Sequence, residues 1–296
     1  MITLSNQHRF EFMAASGALA FDGRGWPWEW PLRWIGLIKP ETFTIVTKSL
    51  TLKPRRGNLR WYKPWGSVRL LRGGVVNAVG LTNPGIEWWL KKIYPRVEKS
   101  SWSFVCSIVG ENIQEYVEMA LMLKDCSALK AIEINASCPN SPSDLQGNTQ
   151  AVIDVARALK PIVKVPLIIK LSYTNDYLTI ANALEKTVEA ISINSVPWKN
   201  IFPNKKSPLA KLGGGGVSGR RVQDYTWKML ADLATHTTLP IIGASVWKYK
   251  DIEALFNLGA RAIAFGSIFL RYPWRPTLYV KRWKKKQQTP QDYFKI

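Results

Sequence analysis

The sequence predicts an α/β fold: a (β/α)8 TIM barrel with its site at the C-terminal ends of the strands. Three observations carry that expectation. Eight short β-branched runs alternate with longer amphipathic stretches, each run ends near a polar or reactive residue, and no linker divides the 296 residues. The chain therefore reads as one domain over 1–296. The strand ends are Ser16, Lys48, Ser107, Asn135, Lys170, Asn194, Ser245 and Ser267. In a barrel they share one rim; in a doubly wound open sheet, the alternative, they would spread along an edge.

The first strand is expected at EFMAAS (11–16). GWPWEWPLRW (25–34) follows, a proline-broken aromatic segment suited to capping a core or forming a contact surface. FTIVTK (43–48) is the second strand. Residues 49–102 are too long for a simple strand-to-helix loop, and are expected to pass over the active-site rim with a hairpin of their own. Strands three to eight fall at SFVCSIV (103–109), AIEIN (131–135), PLIIKL (166–171), AISIN (190–194), LPIIGA (239–244) and RAIAFG (261–266). Helical patterns separate them, among them NIQEYVEMALMLKD, TQAVIDVARALK, YLTIANALEKTV, RVQDYTWKMLADLAT and DIEALFNLG. A basic tail is expected at about 281–296, beginning KRWKKKQQ.

Composition narrows the function classes. Apolar residues make up 46% and charged residues 21%, as in ordinary globular proteins. Three cysteines do not make a disulfide framework, and with only His8 and His236 beside them no zinc or iron–sulfur pattern forms. No metal is expected, and a reducing cytoplasm suits the chain. MITLSNQHRFEF lacks a signal-peptide pattern, and no apolar run reaches 18 residues, so no membrane span is expected. Lys and Arg outnumber Asp and Glu by 41 to 21, a net charge of +20. That charge describes a basic surface and is compatible with nucleic acid, acidic lipid or anionic metabolites.

Several residues carry chemistry. Cys138 follows a strand end by three residues, between Asn135 and Asn140, in a loop stiffened by Pro139 and Pro142. A thiol there can serve as nucleophile or general acid/base. Cys106 and Cys126 read as buried packing cysteines. Asn77, Asn135, Asn140 and Asn194 sit at strand ends or in rim loops, where uncharged amides suit a planar ligand with alternating carbonyl and N–H edges; the alternative for each is a turn or cap. Lys48 and Lys170 end apolar strands, and either reach solvent or place positive charge at the rim. KLGGGGVSG (211–219), including Gly215 and Gly216, reads as a glycine-rich loop before a helix beginning near Arg220. Together with Gly266 and Ser267 after the last strand, it suggests a phosphate site and a phosphorylated cofactor such as FMN.

FMAASG, TKSLTLKPRRGN, NAVGLTNPG, EINASCPN, IIKLS, INS, GGGGVSG and AIAFGS, in this order across residues 12–267, resemble the dihydroorotate dehydrogenase family, in the soluble class with cysteine as base. The resemblance implies an FMN-dependent oxidation of dihydroorotate to orotate in pyrimidine (UMP) biosynthesis. It implies Cys138 as the base, and Lys48, Asn77, Val79, Gly80, Leu81, Asn135, Asn140, Asn194 and Ser195 as substrate residues. FMN would meet Ala15, Ser16, Gly17, Lys48, Ser49, Asn77, Ser107, Asn135, Lys170, Asn194, Gly215, Gly216, Gly243, Ser245, Val246, Gly266 and Ser267. One departure stands out: where the family continues PIIG with a glycine pair, this chain has Ser245 and Val246, whose side chains would crowd the phosphate approach.

Two readings compete. A tRNA dihydrouridine synthase-like FMN enzyme would share the barrel and suit the basic surface, but the asparagine and lysine motifs fit an orotate pocket better. A non-catalytic derivative binding RNA or a partner would be favoured by loss of the glycine pair. The electron acceptor is open between fumarate and NAD, the latter requiring a partner subunit with FAD and an iron–sulfur cluster. A homodimer is the family expectation.

Overall fold

The computed structural model describes residues 1–60, 62–136 and 147–288. Eight parallel strands close into a barrel: β1 (Phe12–Ala14), β2 (Thr44–Val46), β3 (Ser103–Ile108), β4 (Leu129–Asn135), β5 (Leu167–Leu171), β6 (Ala190–Ile193), β7 (Ile241–Gly243) and β8 (Ala262–Phe265). Each falls within, or within two residues of, its expected run. The order is sequential around the barrel, with β8 pairing β1 and every neighbour parallel, so the open-sheet alternative is excluded.

Helices fill the connections. They are α1 (Trp30–Trp34), α2 (Ile86–Lys92), α3 (Tyr94–Glu98), α4 (Ile113–Leu123), α5 (Thr149–Leu159), α6 (Tyr177–Leu184), α7 (Trp198–Ile201), α8 (Gln223–His236), α9 (Lys250–Asn257), α10 (Ser267–Arg271) and α11 (Arg275–Gln288). Three of the longer ones begin on side-chain caps that satisfy first-turn amides: Asn112 accepts from Glu115 N, Asn148 from Ala151 N and Asp176 from Thr179 N. Their apolar faces pack on the outside of the barrel, as Tyr116, Met119 and Leu123 of α4 and Val152, Val155 and Leu159 of α5 do.

The barrel interior has layers. Met13, Val46, Val105, Ala131, Ile168, Ala190, Ile242 and Ala262, one from each strand, form an apolar floor. Below it a ribbon pairing Ile2–Thr3 with Arg9–Phe10 plugs the N-terminal mouth with Ile2, Leu4 and Phe10. Two residues further along four strands the same inward face turns polar, at Ser107, Glu133, Lys170 and Ser192, because alternate residues of a strand share a face. Pairing sets the level of each: Ser107 lies opposite Glu133, and Lys170 opposite both Asn135 and Ser192.

The excursion after β2 contains the expected hairpin, Val68–Leu71 with Gly74–Asn77. It joins Gly216–Gly219 and Val196–Pro197 in a four-stranded antiparallel sheet over the rim. The glycine run is thus only in part the loop expected from sequence. Gly216–Gly219 is a strand, a 3-10 turn at Arg220–Val222 follows, and α8 starts at Gln223. Glycine at 215 is needed for closeness: its φ is +83°, and a Cβ there would come within 2.5 Å of the Asn77 carbonyl oxygen.

The basic run expected as a tail instead continues α11 to Gln288; residues 289–296 lie outside the described residues. Trp283 of α11 stacks on Phe256 and donates from Nε1 to Glu11. Among the described residues no helix is long and apolar enough to cross a membrane.

Truncating the interior floor should be costly, since the closed barrel limits collapse around a gap. Ile242→Ala is expected to destabilise by about 2–5 kcal/mol, read as a lower urea midpoint with an unchanged slope.

Candidate active site

A cavity of about 310 Å³ opens at the C-terminal ends of the strands, between barrel and rim sheet. Its lining includes Ala15, Ser16, Gly17, Lys48, Ser49, Asn77, Val79, Gly80, Leu81, Asn135, Lys170, Asn194, Ser195, Gly216, Ser245, Val246, Gly266 and Ser267. Most residues singled out from the sequence therefore meet in one place. Cys138 and Asn140 lie outside the described residues.

Three expected cofactor residues do not line the cavity. Gly215 packs against Asn77, as above. Gly243 faces outward, where a Cβ would lie 3.2 Å from both Ala260 and Leu255. Ser107 is fully buried beneath the cavity. Its hydroxyl donates to Glu133 Oε1 (2.9 Å) and lies 2.9 Å from Ser49 Oγ. Ser107 has one hydrogen to give, so the hydroxyl of Ser49 donates to it. Asn135 Nδ2 in turn donates to Ser49 Oγ (3.1 Å). The donors thus run from the cavity wall down to one buried carboxylate.

Glu133 was not among the residues singled out from the sequence. It is 2% exposed, and also accepts from Ser192 Oγ (3.1 Å) and Lys170 Nζ (3.5 Å). The signal was present: in AIEIN, Glu133 and Asn135 are two apart, and so share the inward face.

The loops are held by buried acceptors. Asn83 is fully engaged: Oδ1 accepts from Thr51 N and Gly85 N, while Nδ2 donates to Thr51 Oγ1 and Leu81 O. Leu81 is left in the left-handed region at φ +56°. After β7, Asp251 accepts from the amides of Trp247 and Lys248, and Gln223 donates to Ser245 O. Ser245 also has a left-handed backbone, φ +68°, the conformation glycine adopts without strain. Its hydroxyl accepts from Thr226 Oγ1 (3.0 Å), and Val246 is 3% exposed within the outer core. A serine at a glycine-like turn costs roughly 1 kcal/mol or more, and both strained positions border the cavity.

The aromatic segment supplies a wall the sequence did not reveal. Trp26 and Trp28 stack at 5.5 Å, line the cavity beside Gly17, and Trp26 Nε1 donates to Gly17 O (3.0 Å). Leu59, Pro64 and Val68 from the excursion complete this apolar side. Under the tryptophans Glu29 is buried; Oε2 accepts from Trp26 N (2.8 Å), whereas Oε1 has no hydrogen-bond partner among the described residues. Burial pushes its carboxyl up to about 7, with the Trp26 amide pulling weakly the other way. The remaining described cysteines are not candidate bases: burial raises the Cys106 thiol strongly, and pushes Cys126 up to about 11.

The comparisons with known proteins bear on this arrangement. A family model described as Dihydroorotate dehydrogenase matches residues 35–274. The chain belongs to the dihydroorotate dehydrogenase family. Among similar curated proteins is the dihydroorotate dehydrogenase B (NAD(+)) catalytic subunit of Bacteroides thetaiotaomicron, 30% identical over 230 residues, which are 75% of this chain and 74% of that one. A putative dihydroorotate dehydrogenase A (fumarate) of Pediococcus pentosaceus is 34% identical over 242 residues, 77% and 76% of the two chains. The ligand-free dihydroorotate dehydrogenase structure from Eimeria tenella superposes with a TM-score of 0.70 at 16% identity, over 96% of this chain and 85% of that one, and attests the fold. This is a family of FMN-dependent oxidoreductases, so the membership makes the chain an enzyme of that class.

Glu29 generates a pH prediction. A carboxyl whose folded-state value lies above its unfolded value contributes stability that is fully present below about 4.5 and lost as pH rises through about 7. Glu29→Gln should remove that dependence. In urea melts at pH 5 and pH 8, wild type is expected to lose on the order of 3 kcal/mol relative to the variant across the window.

Proposed function

We propose that this protein oxidises dihydroorotate to orotate with FMN, as a cytoplasmic step of pyrimidine biosynthesis. The observation that carries the reading is the convergence of Lys48, Lys170, Asn77, Asn135 and Asn194 on one cavity at the barrel's C-terminal end, in a chain of this family.

The residues present fit FMN. The cavity offers uncharged amides and two lysines at its base, with the glycine and serine ends of β7 and β8 (Ser245, Gly266, Ser267) at its side. Gly216 is small there of necessity, since a Cβ would lie 2.6 Å from Ser195 Oγ. In this reading Ala15, Ser16, Gly17, Ser49, Lys170, Ser245, Val246, Gly266 and Ser267 hold the cofactor, and FMN supplies the hydride acceptor when bound. The amides of Asn77, Asn135, Asn140 and Asn194, with Ser195, bind the carbonyl and N–H edges of the pyrimidine; Val79, Gly80 and Leu81 close over it. Lys48, 9% exposed, would lie between substrate and cofactor by the family resemblance, where its cation would attract anionic groups. Cys138 takes the proton from C5 of dihydroorotate while the hydride leaves C6. Its role rests on its place three residues after Asn135 in EINASCPN and on the family resemblance.

The names of the B-type relatives favour NAD as final acceptor, reached through an electron-transfer subunit, since each is called a catalytic subunit. The A-type relative favours fumarate, which needs no such partner.

The test is an anaerobic visible spectrum of the purified protein before and after addition of dihydroorotate. Flavin bands that bleach are expected; bands that persist would turn the reading toward another substrate, with reduced RNA the first to try. Cys138→Ala should slow the bleaching by roughly 10²–10⁴-fold while leaving the flavin bound, and an unchanged rate would remove the cysteine from the role of base.

A further inference from the structure

At the base of the cavity the barrel buries an ion pair, and the proposed reaction uses only one member of it, Lys170. Glu133 and Lys170 are 2% and 7% exposed, with Nζ and Oε1 3.5 Å apart. A buried ion pair is weak grounds for stability, because apolar residues of similar volume often do as well. This carboxylate is nevertheless held with care. It accepts from Ser107, Ser192 and Lys170. Lys170 reaches the cavity wall, whereas Glu133 does not.

Geometry and charge together assign Glu133 a task. We propose that Glu133 is a positioning residue that, through Lys170, sets the net charge presented to the flavin; the proposal rests on the FMN reading above. A lone lysine under the ring would strongly favour an anionic reduced or adducted flavin. With a carboxylate 3.5 Å behind it, the pair presents a dipole instead, whose field falls off faster and whose pull on negative charge is weaker. Ser107 and Ser192 keep the carboxylate in its acceptor role and the lysine aimed at the wall.

The consequence has a definite sign. Glu133→Gln keeps the shape but removes the negative charge, so the flavin should accept negative charge more readily. The full-length protein is loaded with FMN and titrated with sulfite, which adds to oxidised flavin to give an anionic adduct seen by loss of the visible bands. The sulfite dissociation constant is expected to fall about tenfold in Glu133→Gln, and the flavin reduction potential to move positive. Lys170→Met should move both the other way. In the Lys170→Met background, adding Glu133→Gln should change the constant by less than about twofold, because a buried carboxylate deprived of its cation takes up a proton and leaves no charge for the substitution to remove. That double variant replaces the pair by uncharged groups of similar volume, and carries the test if the single Glu133 variant does not fold.

A Glu133→Gln constant within twofold of wild type overturns the proposal, as does an equal shift with and without Lys170. If wild type takes up FMN and is bleached by dihydroorotate, such a result falls on Glu133 alone. If wild type takes up no FMN, the FMN reading fails and this proposal with it.

Discussion

Closure of the barrel is the constraint on which the site depends. The pairing of β5 with β6 puts Lys170 opposite Ser192, and that of β3 with β4 puts Ser107 opposite Glu133. A slip of one residue in any of these ladders would turn the inward side chains outward and carry charge into the apolar layer between strands and helices. The same register that fills the floor with Val105, Ala131 and Ile168 therefore delivers the polar layer two residues above it. Core and site are two levels of one set of strands.

Much of this was legible in the sequence because barrel strands are short, β-branched and separated by helices with recognisable caps. All eight runs became strands, and the residues at their ends met at one cavity. The exceptions have physical reasons. Ser107 reads from sequence as a rim residue, but β3 runs on to Ile108 and leaves its hydroxyl below the cavity. The resemblance implies Gly243 as an FMN residue, yet its missing side chain makes room for α9. Glu133 is hard to read from sequence because an acidic residue inside a strand has no local signal of its own; only its alternation with Asn135 betrays which way it faces. The aromatic wall was out of reach for another reason. Nothing in GWPWEWPLRW says that Trp26 and Trp28 fold back over Gly17, a tertiary contact made by one indole N–H.

The basic character of the chain is partly absorbed by its own aromatic rings. Arg275 lies 3.7 Å from the centroid of Tyr272, and Arg282 4.1 Å from that of Tyr249, so α11 fixes two guanidinium groups on ring faces. Lys286 pairs with Glu253 on the neighbouring helix. These contacts tie α11 to the barrel wall and account for its order across a run that, read as sequence, looks like a solvated tail. Around α1, by contrast, Trp34 and Ile35 stay about 70% exposed among the described residues.

The four-stranded sheet over the rim is assembled from two segments more than a hundred residues apart, 68–77 and 196–219. Contacts so distant along the chain become entropically cheap only after the barrel between them has formed. The cover of the cavity thus depends on the barrel for its assembly, even though Val75, Val76 and Val217 are fully buried within it. Its strands can separate without unzipping a single barrel ladder, so access to the interior is governed by a local equilibrium with its own free energy, distinct from that of global unfolding. Backbone amides of Val75 and Val217 would exchange with solvent on the clock of that opening, and those of Ile134 and Ile169 on the clock of the whole molecule.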